Sequence, residues 1–280
     1  MHVFYTKSET TQFVNHHKSG GKTVGFVPTM GALHQGHISL IDRSKVENDV
    51  TGCSIFVNPI QFNNPDDLKK YPRTIETDIQ KLEDAGCDFL FYPEVAEMYP
   101  KPIEEKYDFG HLDKVLEGKF RPGHFNGVAI VVRKLFEIFL PDKAYFGLKD
   151  FQQLRIIQAM TRQMKLPVEI VPCPTLREND GLAMSSRNVR LLPNERKLSP
   201  AIYETLLEVK QMVGKSQPSE AERWAIQKLN SIAGFETEYF SIVDTETLLP
   251  VNNWTDSASL VACTAVVVGK VRLIDNLILI

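Results

Sequence analysis

Two histidines three residues apart, His34 and His37, close a run of mostly small residues, Pro28-Thr-Met-Gly-Ala-Leu-His-Gln-Gly-His37. At the start of a helix they share a face, where imidazoles can donate hydrogen bonds to a phosphoryl oxygen and to charge developing on it. They could also ligate a metal together, but zinc would need a third and a fourth ligand, and no nearby Cys, His or H-E-x-x-H arrangement offers one. Gly147-Leu148-Lys149-Asp150 forms a second set. Asp150 alone reads as an ordinary N-cap, whereas Lys149 can reach phosphate as a mobile point charge. A third set, Ala183-Met184-Ser185-Ser186-Arg187-Asn188, carries two hydroxyls and a guanidinium able to neutralise a triphosphate. The amides of Gln61 and Gln153 suit a substrate's hydroxyls and carboxylate better than its phosphates, and Asn58 reads equally as a substrate contact or a turn residue.

These groups need elements to hold them. Thr23 to Val27 is short and β-branched, and His37 to Val46 has helical spacing, so residues 28–37 form a strand–loop–helix corner. Gly31 and Gly36 admit close backbone approach, and a helix N-terminus presents unpaired N–H groups and positive dipole, which favours an anion. The pattern continues with a strand at Thr51 to Val57 and a loop rich in Asn and Pro. A helix faced by Ile75, Ile79 and Leu82 and a strand at Asp88 to Tyr92 come next. Residues 93–110, with three prolines among charges, read as loop. His124 to Leu140 is a largely buried helix ended by Pro141, and Ala144 to Phe146 a brief strand. Asp150 to Met164 is a helix and Val168 to Val171 a strand. This alternation is the α/β pattern with a parallel sheet, whose ligands bind at the carboxyl ends of the strands. The polar loops 28–37, 58–62 and 147–153 fall there. From Leu176 the texture changes to a polar loop, two helices (194–213 and 219–232) and strands at 236–243, 259–268 and 271–279, a smaller α+β domain. The expected division is 1–176 and 177–280, with Arg177 to Arg190 as hinge or lid.

Composition narrows the class. The 280 residues are 43% hydrophobic and 24% charged with a formal net charge of −3, so there is no basic footprint for nucleic acid or anionic lipid. No apolar run approaches the ~20 residues of a membrane span, and the first residues lack a signal-peptide pattern, so a cytoplasmic location is expected. Cys53, Cys87, Cys173 and Cys263 stand singly in apolar surroundings and read as buried free thiols. Ser19-Gly-Gly-Lys-Thr23 has the look of a P-loop, but a Walker A motif needs Gly where His16 stands and must follow a strand, whereas this segment precedes the first one visible. No G-x-G-x-x-G, G-x-S-x-G or kinase set occurs.

Taken together, the motifs resemble a known family. Gly36-His37 in its setting looks like the HIGH motif of the nucleotidyltransferase superfamily, and Met184 to Arg187 like its KMSKS counterpart. Within that superfamily the chain resembles the pantothenate synthetase (pantoate–β-alanine ligase) family. The matching segments are Val27 to Gly31, His34-x-Gly-His37, Ser54 to Phe62, Tyr71-Pro-Arg-Thr74, Leu116-Glu-Gly118 and Arg121-Pro-Gly-His-Phe125. Phe151 to Leu154, Asp180 to Asn188 and Leu273-Ile-Asp-Asn276 complete the series almost end to end. The resemblance implies a Rossmann-like ATP- and pantoate-binding domain with a small lid. It also implies a two-step reaction: ATP and pantoate give pantoyl adenylate and pyrophosphate, and the amine of β-alanine then displaces AMP. Mg²⁺ would accompany the ATP, and the resemblance suggests a homodimer formed through the larger domain.

Carried over by position, His34 and His37 face the ATP phosphates, with His37 the candidate proton donor. Lys149, Ser185, Ser186 and Arg187 hold phosphate; Gly147 and Asp150 lie at the ribose; Met184 and the backbone near Leu176 lie at adenine. Met30, Gly31, Gly36 and Leu148 complete the ATP contacts. Gln61 and Gln153 hold pantoate, Gln61 also lies near β-alanine, and Met30 lines the shared pocket. Leu148 departs from the family's usual Glu, so any role of that carboxylate is lost. Two other readings stay open at this point: an adenylyltransferase acting on a phosphate ester, and a non-catalytic nucleotide- or metal-binding module built on the two histidines.

Overall fold

The computed structural model describes residues 1–280. In chain order the elements begin with β1 (His2–Phe4), α1 (Lys7–Ser19), β2 (Val24–Thr29), α2 (Gln35–Glu47), β3 (Val50–Ile55), α3 (Pro65–Lys70), α4 (Ile75–Asp84) and β4 (Phe89–Phe91). They continue with α5 (Val95–Met98), α6 (Leu116–Phe120), α7 (His124–Phe139), β5 (Lys143–Gly147), α8 (Phe151–Gln163) and β6 (Glu169–Cys173). The last are α9 (Pro193–Leu198), α10 (Ala201–Gln211), α11 (Pro218–Asn230), β7 (Phe235–Asp244), β8 (Leu260–Val268) and β9 (Val271–Ile278).

Six parallel strands form one sheet in the order β1-β4-β3-β2-β5-β6. This is the Rossmann-like architecture. Alternate residues of each strand enter different cores: Val24, Phe26, Phe89, Phe91, Ala144 and Phe146 join one apolar cluster with Val14 of α1 and Phe139 of α7. Val27, Leu90 and Tyr145 join another with Leu40 and Ile41 of α2 and Leu82 of α4. Period-two alternation with both faces covered is why these strands read as near-continuous apolar runs. From β2 the chain runs to β3 and β4 on one side and to β5 and β6 on the other. The carboxyl ends of β2 and β5 therefore flank the switch point, where such sheets bind ligands.

The chain divides into two compact units. One comprises Met1–Asp113, Arg121–Leu148 and Gln153–Pro174; the other comprises Lys114–Phe120, Lys149–Gln152 and Thr175–Ile280. The second unit is α+β, an antiparallel sheet in the order β7-β8-β9 whose core also takes in Ile202, Leu206 and Val209 of α10 and Ala221, Ala225 and Leu229 of α11. Two stretches that the sequence leaves with the first domain, 114–120 and 149–152, thus belong to the second unit. Glu117 explains one: it ion-pairs with Arg272 of β9 (2.7 Å) and accepts a hydrogen bond from the Tyr239 hydroxyl of β7 (2.8 Å).

Several local expectations are corrected. A strand, β1, precedes the glycine-rich segment 19–23, which follows helix α1 and so lacks the strand–loop context of a P-loop. The region 93–110 contains one helical turn, α5, which carries Met98 into the core. The single helix expected over 194–213 is two, because Pro200 has no N–H to continue the ladder between α9 and α10.

Candidate functional site

The corner after β2 is built by remote contacts. Gly31 (φ 81°) and Ala32 (φ 50°) both adopt left-handed backbone, which Gly tolerates and Ala does not without cost. Asp78 of α4 offsets that cost: its carboxyl group accepts hydrogen bonds from the Ala32 and Leu33 N–H groups, both at 2.8 Å, and from the Thr74 hydroxyl at 3.2 Å. Lys81 of the same helix donates to the Leu33 carbonyl at 2.6 Å. The turn so fixed makes His34 the N-cap of α2 and puts Gly36 and His37 in its first turn. The two imidazole centroids are 4.0 Å apart, and the His34 N–H donates to His37 Nδ1 at 3.3 Å. Nδ1 accepts in that bond, so a neutral His37 carries its ring hydrogen on Nε2.

Gln61 sits in a 3-10 turn, 59–61, after β3, and it is buried. Its amide is oriented on both sides: Oε1 accepts from Asn58 Nδ2 (2.9 Å), and Nε2 donates to the Met30 sulfur (3.2 Å). Asn58 also donates to the Gly127 carbonyl (3.1 Å) and accepts from the Tyr99 hydroxyl (2.7 Å). His124 Nδ1 donates to the Gln61 carbonyl at 2.7 Å. Gly127 lets α7 lie against this turn, since a Cβ there would stand 2.5 Å from the Ile60 carbonyl oxygen. A cavity of about 270 Å³ opens at the carboxyl ends of β2, β3 and β4 beside Met30 and Gly31, lined also by Arg73, Thr74 and Tyr92. Gln153 is half-buried in the first turn of α8, and Leu148 packs against the larger apolar cluster, an apolar contact that the family's usual Glu would not make. Gly147 ends β5, the strand beside β2.

The second unit holds the remaining predicted residues. The Lys149 ammonium lies 3.7 Å from the Asp150 carboxylate. Leu176 begins a hairpin whose carbonyl accepts from the Met184 N–H at 3.0 Å, with an antiparallel bridge between Arg177 and Ala183. Ser185 Oγ accepts from the Arg187 N–H at 3.2 Å, so Ser185, Ser186 and Arg187 follow one another round a hydroxyl-stabilised turn. Arg187 leads into a 3-10 turn over 188–190.

Other chemistries find little support among these residues. All four cysteines are buried, and burial pushes the thiols up, to about 12 for Cys87, so none offers a thiolate. No group of three or more His, Cys, Asp or Glu side chains is arranged to hold a metal ion. A divalent cation on a triphosphate would instead rest on phosphate oxygens and water. Within the first unit, then, the structure gathers His34, His37, Gly36 and Gly147 at the switch point and sets Gln61 on Met30. Asp78, Lys81, Tyr99, His124 and Gly127 support that arrangement and were not legible as such. Only His124 lay in a segment that the sequence singles out.

A model of the pantoate–β-alanine ligase family matches residues 2–278. The chain belongs to that family. The pantothenate synthetase of Porphyromonas gingivalis strain W83 is 50% identical over 277 residues, 99% of both chains. The crystal structure of pantothenate synthetase from Thermus thermophilus has a TM-score of 0.92 at 43% identity, again covering 99% of each chain. A pantoate–β-alanine ligase from Francisella tularensis, solved in complex with β-γ ATP and β-alanine, has a TM-score of 0.81 at 37% identity, covering 99% of this chain and 97% of that one. Membership makes this chain an amide-forming, ATP-using ligase of pantothenate biosynthesis. The non-catalytic module is thereby set aside.

Proposed function

We propose that the chain condenses pantoate with β-alanine through pantoyl adenylate. A pantoate carboxylate oxygen attacks the α-phosphorus of ATP, the bond to the bridging oxygen breaks, and pyrophosphate leaves. The neutral amine of β-alanine then attacks the acyl carbon, the acyl–oxygen bond breaks, AMP departs with that oxygen, and the amine loses a proton. No enzyme nucleophile enters either step, which agrees with the absence of a thiolate; alignment and charge neutralisation carry the rate.

The observation that carries this reading is the corner at the switch point, a helix N-terminus that brings His34 and His37 together beside the carboxyl end of β2. On this reading His34 and His37 neutralise charge on the ATP phosphates, with Met30, Gly31, Gly36, Gly147 and Leu148 as further ATP contacts. Lys149, Ser185, Ser186 and Arg187 serve the same phosphates, Asp150 the ribose, and Leu176 and Met184 the adenine. Gln61 and Gln153 hold pantoate. Mg²⁺ accompanying the triphosphate would supply further charge neutralisation. A lid role for the smaller unit and the 177–190 loop belongs to the same proposal, since water would hydrolyse the adenylate. The reading includes a cytoplasmic homodimer; no helix is long and apolar enough to cross a membrane.

The test is pyrophosphate release on mixing enzyme with ATP and pantoate alone. A burst stoichiometric with enzyme before β-alanine is added, followed by AMP and pantothenate on its addition, is expected. No pyrophosphate without β-alanine, or a stable dinucleotide product as in the adenylyltransferase reading, would overturn it.

A further inference from the structure

The last strand carries a polar pair that no role above uses. Asp275 and Asn276 on β9 are both buried. Asn276 Nδ2 donates to the main-chain carbonyl of Lys149 at 2.8 Å. Asp275 receives both terminal nitrogens of Arg177, at 2.6 and 2.9 Å, and its Oδ1 also accepts from the Asn276 N–H at 2.8 Å. Arg177 adds bonds to the Gly181 and Asn276 carbonyls at 3.1 and 3.3 Å, and its guanidinium stacks 3.6 Å from the Tyr203 ring. Burial pushes the Asp275 carboxyl up from the ordinary carboxylate range, opposed by the Arg177 guanidinium. All of these residues lie in the second unit. Two segments far apart in sequence, Lys149 and the hairpin that starts at Leu176, are thus tied to adjacent residues of one strand.

We propose that Asn276 and Asp275 are positioning residues of the ATP machinery: Asn276 fixes the main chain of Lys149, Asp275 fixes Arg177 beside Leu176, and the pair sets the spacing between the phosphate-binding lysine and the adenine-side hairpin. This rests on the assignment of Lys149 and Leu176 to ATP. A bidentate Arg–carboxylate fork and a buried amide each define a direction as well as a distance, and a flexible lysine gains most from a fixed main chain. The Asn276 arm bears on the first half-reaction, because pantoyl adenylate carries no triphosphate for Lys149 to hold, whereas the adenine-side hairpin fixed through Asp275 serves both half-reactions.

Removing Asp275 would strand the Arg177 charge and could unfold the unit, so the test uses Asn276. Asn276→Leu keeps the size of the side chain and removes the donor. Single-turnover adenylation from ATP and pantoate, and amide formation from preformed pantoyl adenylate and β-alanine, are measured separately for Asn276→Leu, Lys149→Ala and the double variant. The expected result is adenylation about 10–100-fold slower in Asn276→Leu, the scale of a misplaced binding group. Amide formation should stay within about twofold, and Asn276→Leu should add nothing in the Lys149→Ala background. Equal loss in both half-reactions with a lowered melting temperature would mark a purely structural role and overturn the proposal. Normal adenylation by Asn276→Leu with impaired Lys149→Ala overturns the positioning role and leaves the ATP assignment standing. Unimpaired Lys149→Ala removes that assignment itself.

Discussion

Asp78→Ala tests the construction of the corner that holds the histidines. The substitution removes the acceptor for two backbone N–H groups and one hydroxyl. Leu33 is buried, so its amide is left without water; an unsatisfied buried donor costs about 1–3 kcal/mol. Ala32 and Thr74 are more accessible and recover part of their bonding from solvent. Left-handed backbone at Ala32 costs roughly 1–2 kcal/mol in the parent as well, and without the Asp78 bonds this strain drives the turn to relax. The lost bonding amounts to about 1–3 kcal/mol, which for a unit of this size lowers the melting temperature by roughly 2–12 °C. Relaxation of the turn also moves His34 and His37, and a misplacement of ~1 Å costs up to ~10² in rate. Asp78→Asn retains one acceptor oxygen and should fall between. Calorimetry with a single-turnover adenylation assay measures both effects. A variant melting within ~2 °C of the parent with unchanged adenylation would refute the claim that Asp78 holds the corner.

Gly127→Ala should act on pantoate rather than ATP, because the added methyl displaces the Ile60–Gln61 backbone. Such overpacking costs about 1–3 kcal/mol, and KM for pantoate should rise roughly tenfold or more with KM for ATP little changed, as steady-state kinetics will show. Glu47 accepts hydrogen bonds from Arg43, Tyr145 and Lys143, which together hold its carboxyl down to about 2 from 4.5. A depressed native value stabilises fully above the unfolded value and loses that contribution as pH falls toward the native one. Glu47→Gln should therefore melt lower than the parent at pH 7, with the difference shrinking between about pH 4.5 and 2; a constant difference across that range would contradict it. His37→Ala should slow adenylation by roughly 10²–10⁴, measured by pre-steady-state pyrophosphate release, and an unimpaired rate would remove His37 from the phosphoryl step.

The sheet's strands were readable because burial on both faces writes short runs of β-branched, small and apolar residues without charges, as at Val24 to Val27 and Val50 to Ile55. The corner was readable because Gly31, Gly36 and the histidines are local. β1 was not, since three residues at a sheet edge carry no period, and α1 buries only Thr10 and Val14, too few to mark a face. The supports of the site were illegible for a different reason. Asp78 meets Leu33 across 45 residues, Gly127 meets Asn58 across 69 and Asn276 meets Lys149 across 127, and none of these pairs leaves a local pattern. Asn58, open in sequence between turn and substrate, has three internal partners, one of which is the Gln61 amide it orients.

The central claim is that the acyl group passes through an adenylate. Pantoate labelled with ¹⁸O in its carboxylate is turned over with ATP and β-alanine, and the products are separated for mass spectrometry. Attack on the α-phosphorus followed by acyl–oxygen cleavage places one labelled oxygen in AMP and none in pyrophosphate. Label appearing in orthophosphate or pyrophosphate, or AMP without label, would contradict the account.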